Sequence, residues 1–383
     1  MLHTCEGIKY VSVGESTSWW DMRLPLLPAS MIGSEGPELS ALSTISISHR
    51  LSALSMLMAR HIILQLSAYQ SYSEELSQLV NVSSFSEFLS LPSRSALFFH
   101  LWDHLMTGIA LPKLPHVEYI GGITAGPAKE LNSELNNWAD AASEGFVVCT
   151  FGSMLTNPTE SMLQKLFQLF ADLQPHPVIF RLSRDYLPDN LVAQVPPNVK
   201  LMHWLPQNDL LGHPNARLFI THAGTNGYGE ALYHGVPLVA FPLLVPQKYM
   251  ASKIAALGYG KEADLFSMNV TELVAIAKEV LIDTRYRQRV GKVSKIMKAR
   301  KHPGEVAADS MEHVMEYGAD HLQPHASLSL NIIEFYMLDV VFLASILFIG
   351  FSMITFFLFS LLIKCIWRML ISLWIPSSKT KLE

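Results

Sequence analysis

One stretch carries most of the groups that could do chemistry. Residues 204–247 read WLPQNDLLGHPNARLFITHAGTNGYGEALYHGVPLVAFPLLVPQ. Leu218–Ile220 is apolar and of strand length. It ends in Thr221-His222-Ala223-Gly224-Thr225-Asn226-Gly227, and a helical pattern follows. A strand, a glycine-containing turn and a helix N-terminus together make a site for an anion. The first N–H groups of the helix lack partners, and the dipole places partial positive charge there. Gly224 lets the backbone approach a phosphate closely. His222 and Asn226 can add side-chain donors. In an open α/β sheet ligands bind at the carboxyl ends of strands, where this turn lies.

Taken alone, the turn reads more readily as an ordinary loop with a satisfied histidine. The spacing around it narrows the choice. Trp204 and Gln207 precede it; Glu230, Gly235, Pro237, Pro242 and Gln247 follow.

These groups need a parallel sheet to hold them. Phe146–Phe151, Val178–Phe180, Val199–Met202, Leu218–Ile220 and Leu238–Phe241 are short apolar runs. Helical patterns over 160–173, 226–234, 247–257 and 269–281 separate most of them. Strands alternating with helices predict an α/β fold with both sheet faces covered. Asn269 with Glu272 three residues on predicts a capping box. Residues 284–301 and 305–317 predict two more helices. Upstream, residues 8–14 read as a strand, and 48–68 and 73–80 as helices. His100 and His104 stand four apart, which would place them on one helix face; without a third ligand they predict no metal site.

Bulk properties bound the function. The 383 residues suit about two domains of roughly 100–200 residues. A net charge of −5, with no basic patch, argues against nucleic-acid binding. The mean hydropathy of +0.25 directs attention to a membrane segment. From Val340 to Ile363 no residue is charged. As a helix that run spans roughly 36 Å, against about 30 Å for a bilayer core. Lys364, Arg368, Lys379 and Lys381 follow it, which predicts a cytosolic tail and a lumenal body. Three cysteines are too few for a disulfide framework, Cys149 reads as buried, and no Cys5–Cys365 bond is expected. The first residues lack the pattern of a signal peptide.

The segment 204–247 resembles the signature of the UDP-glycosyltransferase superfamily. Pro206-Gln207-Asn208-Asp209-Leu210-Leu211-Gly212-His213-Pro214, Tyr119-Ile120-Gly121-Gly122-Ile123 and Phe151-Gly152-Ser153-Met154 are similar in wording to animal UDP-glucuronosyltransferases. The resemblance runs from about residue 85 to the C-terminus. It implies a GT-B fold: two Rossmann-like domains, the first incomplete here, plus one C-terminal transmembrane helix. The expected boundaries are 1–115 for part of an acceptor-binding domain and 116–325 for the UDP-sugar-binding domain. Residues 326–383 would hold the membrane-proximal segment, a span at about 340–363 and a short tail.

The resemblance also implies roles. Trp204 stacks on uracil, Gln207 contacts the nucleoside and Glu230 holds the ribose hydroxyls. Ser153, His222, Gly224, Thr225 and Asn226 form the diphosphate cradle, Arg181 lies beside the nucleotide, and Gln247 grips the sugar. The implied reaction is inverting transfer from a UDP-sugar to a small lipophilic acceptor, with no metal and no cofactor. The family's usual Asp-Gln pair is Pro246-Gln247 here. That leaves glucuronic acid, glucose, galactose and N-acetylglucosamine open as donors. The family's base histidine and its aspartate belong to a part preceding Met1, so no catalytic residue is assigned and little activity is expected of this chain. The alternative reading is a non-catalytic UDP-sugar-binding relative that regulates full-length transferases. Homo- or hetero-oligomers with such transferases would fit both readings. The implied location is the endoplasmic reticulum membrane. Lys379 and Lys381 stand in a dilysine arrangement, and Asn81 and Asn269 head glycosylation sequons.

Overall fold

The computed structural model describes residues 11–14, 66, 69–71, 74, 84, 95–108, 113–152, 158–322, 332–335 and 337–374. Cys5, Asn81, Ser153, Lys379, Lys381 and most of the predicted helices at 48–68 and 73–80 lie outside the described residues, as does the side chain of Pro246. The chain forms two compact units, residues 1–323 and 324–383.

The first unit holds two parallel sheets. The smaller runs β1 (Val11–Gly14), β2 (Leu97–His100) and β3 (Val117–Tyr119), in that order. The larger contains β4 (Phe146–Thr150), β5 (Val178–Arg181), β6 (Val199–Met202), β7 (Ala216–Thr221), β8 (Leu238–Ala240) and β9 (Gly260–Glu262). Its spatial order is β6-β5-β4-β7-β8-β9, all parallel. Counted from β4 this is 3-2-1-4-5-6, the doubly wound order, and the direction of winding reverses between β4 and β7.

The connecting helices are α1 (His104–Thr107), α2 (Ser133–Asp140), α3 (Glu160–Ala171), α4 (Asp189–Val192), α5 (Gln207–Leu211), α6 (Thr225–His234), α7 (Val245–Ala256), α8 (Val270–Ile282), α9 (Thr284–Ala299) and α10 (Pro303–Tyr317). The six-stranded sheet is buried on both faces, and strand periodicity sorts its side chains. Phe146 and Val148 face one core with Phe219 and Leu238. Val147 and Cys149 face the other with Leu218 and Val239. Helices α2, α6, α7 and α9 cover the first face; α3 and α8 cover the second. The capping box forms as expected. Glu272 N–H donates to Asn269 Oδ1 at 3.0 Å and Asn269 N–H to Glu272 Oε2 at 2.8 Å.

Two findings differ from the sequence reading. His100 and His104 do not share a helix: β2 ends at His100, and Asp103 caps α1, which starts at His104. The other lies in the larger sheet: β9 was not among the expected strands, and its Gly-Lys-Glu carries no apolar signal.

The two sheets are sewn together around α1. Buried Asp103 accepts from Leu105 N–H and pairs with Arg300, just past α9. Tyr228 Oη donates to the Met106 carbonyl at 2.9 Å, and Tyr259 Oη to Leu105 at 3.1 Å. Trp102 stacks on Tyr249 with centroids 5.3 Å apart. Helix α10 packs against the small sheet, where Ala307 and Val314 meet Leu97, Phe99 and Ile120.

The second unit holds α11 (Ile332–Phe335) and α12 (Leu338–Trp374). Leu338–Ile371 includes an 18-residue stretch of mean hydropathy 2.6 that is unburied among the described residues, and the helix is long and apolar enough to cross a membrane. Its serines return their hydroxyls to the helix: Ser345 donates to Val341 O, Ser352 to Phe348 O and Ser360 to Phe356 O. That satisfies each one within an apolar surround. The helix does not stop with the uncharged run; it continues past Lys364 and Arg368.

His100 is buried, and burial pushes its imidazole down to about 4. An unfolded chain takes that proton near pH 6.5, whereas the fold refuses it until about 4. Stability present above pH 6.5 is therefore lost as pH falls, by about 2 kcal/mol between pH 7.5 and 5 for this group. Denaturation midpoints at the two pH values should show a smaller drop in His100→Gln than in the parent chain. An identical drop would show that His100 titrates normally.

Candidate functional site

The winding reversal leaves a crevice at the carboxyl ends of β4 and β7. The loop after β4 starts with Phe151-Gly152, and the loop after β7 with His222-Ala223-Gly224. The two loops meet on the His222 ring. Gly152 has φ +72°, and a Cβ there would lie 2.7 Å from His222 Cε1. A Cβ on Gly224 would lie 2.5 Å from His222 Nε2. Only hydrogen fits at either position. Ala223 is buried with φ 64°, in the left-handed region that a non-glycine residue occupies at a cost of about 1 kcal/mol.

This turn starts α6. Its N-cap is Gly224, which has no side chain to satisfy the first N–H groups. Thr225 and exposed Asn226 form the first turn. Burial holds the His222 imidazole below its ordinary value, partly offset by the Thr150 backbone, which favours the neutral ring near pH 7. Its Nδ1 is buried and makes no hydrogen bond of normal geometry among the described residues.

The next carboxyl ends supply the remaining groups. Arg181 closes β5; its Nε donates to the His203 carbonyl at 3.3 Å, and its guanidinium sits 4.6 Å from the Trp204 ring centroid. Trp204, after β6, is 65% exposed. A large aromatic ring held flat by a cation and open to solvent is a stacking platform. Gln207 opens α5, and its Nε2 donates to Glu230 Oε2 at 2.7 Å. Burial raises the Glu230 carboxyl; hydrogen bonds from Gln207 and Thr124 offset part of that.

The structure thus brings together Arg181 with Trp204, Gln207 with Glu230, and His222 with Gly224, at the carboxyl ends of β5, β6 and β7. Gln247 sits in the first turn of α7, after β8. Its Oε1 accepts from Leu243 N–H at 2.8 Å and Leu244 N–H at 3.0 Å, so the amide oxygen caps its own helix and Nε2 is the end not used there. Sequence reasoning passed over Thr124, Gly152, Asn208 and His234 as site residues. Two of them lay inside the quoted motifs, Asn208 beside Gln207 and Gly152 beside Phe151.

A family model described as UDP-glucoronosyl and UDP-glucosyl transferase matches residues 28–370. UDP-glucuronosyltransferase 3A1 of Xenopus laevis is 33% identical over 306 residues, covering 79% of this chain and 58% of the relative. UDP-glucuronosyltransferase 2B7 of Homo sapiens is 35% identical over 67% of this chain and 47% of the relative. The 2-hydroxyacylsphingosine 1-beta-galactosyltransferase of Mus musculus is 36% identical over 72% and 50%. The chain spans about half the length of the curated relatives it matches. Among solved structures, the glycotransferase of kitacinnamycin aligns with a TM-score of 0.52 at 21% identity, over 68% of this chain and 67% of that one. Os79 from O. sativa in complex with UDP aligns with a TM-score of 0.50 at 17% identity, over 60% and 58%. At these identities the likeness is one of fold, GT-B with Rossmann-like parallel sheets.

The crowding at His222 is open to a direct check. Gly224→Ala should destabilise the fold by about 1–3 kcal/mol, the usual cost of overpacking. Gly291→Ala, mid-helix in α9 with nothing within 4 Å of its Cβ, should stabilise it by about 0.5–1 kcal/mol. Denaturation curves of both variants decide; a neutral Gly224→Ala would mean that the loops do not close on the ring.

Proposed function

The chain belongs to the UDP-glucoronosyl and UDP-glucosyl transferase family, and from that premise we propose that it binds a UDP-sugar in the crevice between β4 and β7 and transfers the sugar, with inversion, to a small lipophilic acceptor. The observation that carries this reading is the order of groups along the strand ends: an exposed ring on a cation, a carboxylate held by an amide, then an uncapped helix N-terminus beside a histidine. That order matches base, ribose and diphosphate.

In this reading Trp204 stacks on the uracil, with Arg181 bracing it from the far side. Gln207 and Glu230 take the nucleoside, Glu230 through the ribose hydroxyls. The N-terminus of α6 receives the diphosphate, together with Ser153, His222, Gly224, Thr225 and Asn226. As the sugar leaves, negative charge grows on the diphosphate. The α6 dipole, its N–H groups and His222 stabilise it in place, so no metal is needed. Gln247 Nε2 faces the sugar. The relatives are named for glucuronosyl and for galactosyl transfer, so donor choice falls to the neighbourhood of Pro246 and Gln247. Helix α12 anchors the chain in the endoplasmic reticulum membrane, body lumenal and tail cytosolic. The charge pattern after Ile363 supports that side, as does the sequon at Asn269, exposed and capping α8 through Oδ1 rather than the nitrogen a glycan would occupy.

Calorimetry of the full chain in detergent should show UDP binding that persists in excess EDTA. Trp204→Ala or Glu230→Ala should weaken it by roughly tenfold or more, the scale of a lost stacking platform or charged hydrogen bond. Unchanged affinity in both variants would remove the site assignment, and a strict metal requirement would contradict the chemistry.

Orientation has its own test. In sealed microsomes the body should resist protease, and glycosidase should shift the gel mobility of the parent chain but not of a variant lacking Asn81 and Asn269. Digestion of the body with protection of the tail would reverse the topology.

A further inference from the structure

Segment 121–129, which joins β3 to α2, runs across the ribose end of the site. It touches α6 backbone to backbone: a Cβ on Gly229, next to Glu230, would lie 2.9 Å from Gly122 Cα. Thr124 hydrogen-bonds Glu230. Gly126 N–H donates to Asn208 Oδ1 at 3.2 Å, and Lys129 N–H to Asp209 Oδ1 at 2.9 Å. The Ala125 carbonyl accepts from His302 Nε2 at 2.8 Å, at the start of α10.

Asn208 Oδ1 also receives His234 Nε2 at 2.9 Å. An amide oxygen only accepts, so His234 donates from Nε2. Gln207 and Asn208 are consecutive on α5, while Glu230 and His234 are one turn apart on α6. The two helices are therefore joined by two rungs, Gln207–Glu230 and Asn208–His234. The strap 121–129 lies along both. A glutamate side chain has three torsions, and a carboxylate that must meet two hydroxyls loses binding if those torsions are not fixed beforehand.

We infer that Asn208 and His234 are positioning residues for ribose recognition, acting with the strap 121–129 to hold the Glu230 carboxylate where the nucleotide's hydroxyls arrive. Neither residue touches the nucleotide; each acts through the α5–α6 rung. The inference rests on the assignment of Glu230 to the ribose, and it makes that recognition depend on a segment leading from the small sheet. Burial, the largest influence, holds His234 at about 4, so the ring in this rung is neutral near pH 7.

The test compares UDP with 2′,3′-dideoxyuridine diphosphate by calorimetry on the full chain. The parent chain should prefer UDP by roughly tenfold or more, the worth of hydrogen bonds to a charged group. Glu230→Ala should erase the preference. Asn208→Leu and His234→Leu should shrink it several-fold by weakening UDP alone, with the dideoxy nucleotide binding as before and reporting that the site is folded. His234→Gln keeps a donor at the same reach and should restore the preference. A full preference in Asn208→Leu and His234→Leu, or an equal loss of both nucleotides, would overturn the inference while leaving the Glu230 assignment standing. A preference that survives Glu230→Ala would remove that assignment and the inference with it.

Discussion

Everything at the crevice between β4 and β7 depends on two positions that admit no side chain. Gly152 and Gly224 both lie against the Cε1 and Nε2 atoms of the His222 ring, with clearances that a methyl group would abolish. That contact brings the ends of β4 and β7 together where the winding reverses. It also sets the start of α6, and so the direction of its dipole and first N–H groups. Ala223 holds a left-handed conformation at the same turn. Strain at such a turn persists only when the surroundings over-determine it, and here two strands and a buried ring do so. The neutral imidazole follows from the same crowding, because burial is what lowers its proton affinity.

A second tier of contacts keeps the site in register with the rest of the unit. Asp103 is buried and caps α1 while pairing with Arg300, so breaking that pair would leave an uncompensated charge at a cost of about 3–5 kcal/mol. Tyr228 lies on α6 itself, two residues before Glu230, and its hydroxyl reaches across to Met106. The helix that carries Glu230 is thus held from both sides, by α1 on one and by α5 with the strap on the other. Small residues recur where backbones must close up, as at Gly122 against Gly229. Large aromatics recur where the two sheets meet, as with Trp102 on Tyr249.

The larger sheet was legible in the sequence because its strands are buried on both faces. Continuous apolar runs such as Phe146–Phe151 have no other common explanation between helical patterns. β9 was not, since Gly260–Glu262 lies at the edge and mixes polar residues. His100 and His104 show the limit of spacing arguments. Four residues apart suggests one helix face, but a capping aspartate at 103 starts the helix between them. Lys364 ended the uncharged run without ending the helix, because lysine and arginine are themselves good helix formers. Within the site, the anion turn with His222 was readable as strand, turn and helix start, whereas Trp204 and Glu230 came only with the resemblance to the family. The Gln207–Glu230 bond joins residues 23 apart, and the Asn208–His234 bond residues 26 apart. Nothing in local sequence specifies either. Gln247 was read as a sugar ligand, and its amide oxygen proved to serve its own helix, a use that only the backbone positions of Leu243 and Leu244 disclose.

The proposed placement of the uracil ring over Trp204 would tie these features to one ligand pose. It can be read directly by photolabelling with a UDP analogue that carries its reactive group on the base, followed by peptide mapping of the full chain. Label should concentrate in the peptide spanning 203–207 and be competed away by UDP. Label competed by UDP but carried on a peptide remote from the carboxyl ends of β5 and β6 would contradict the account.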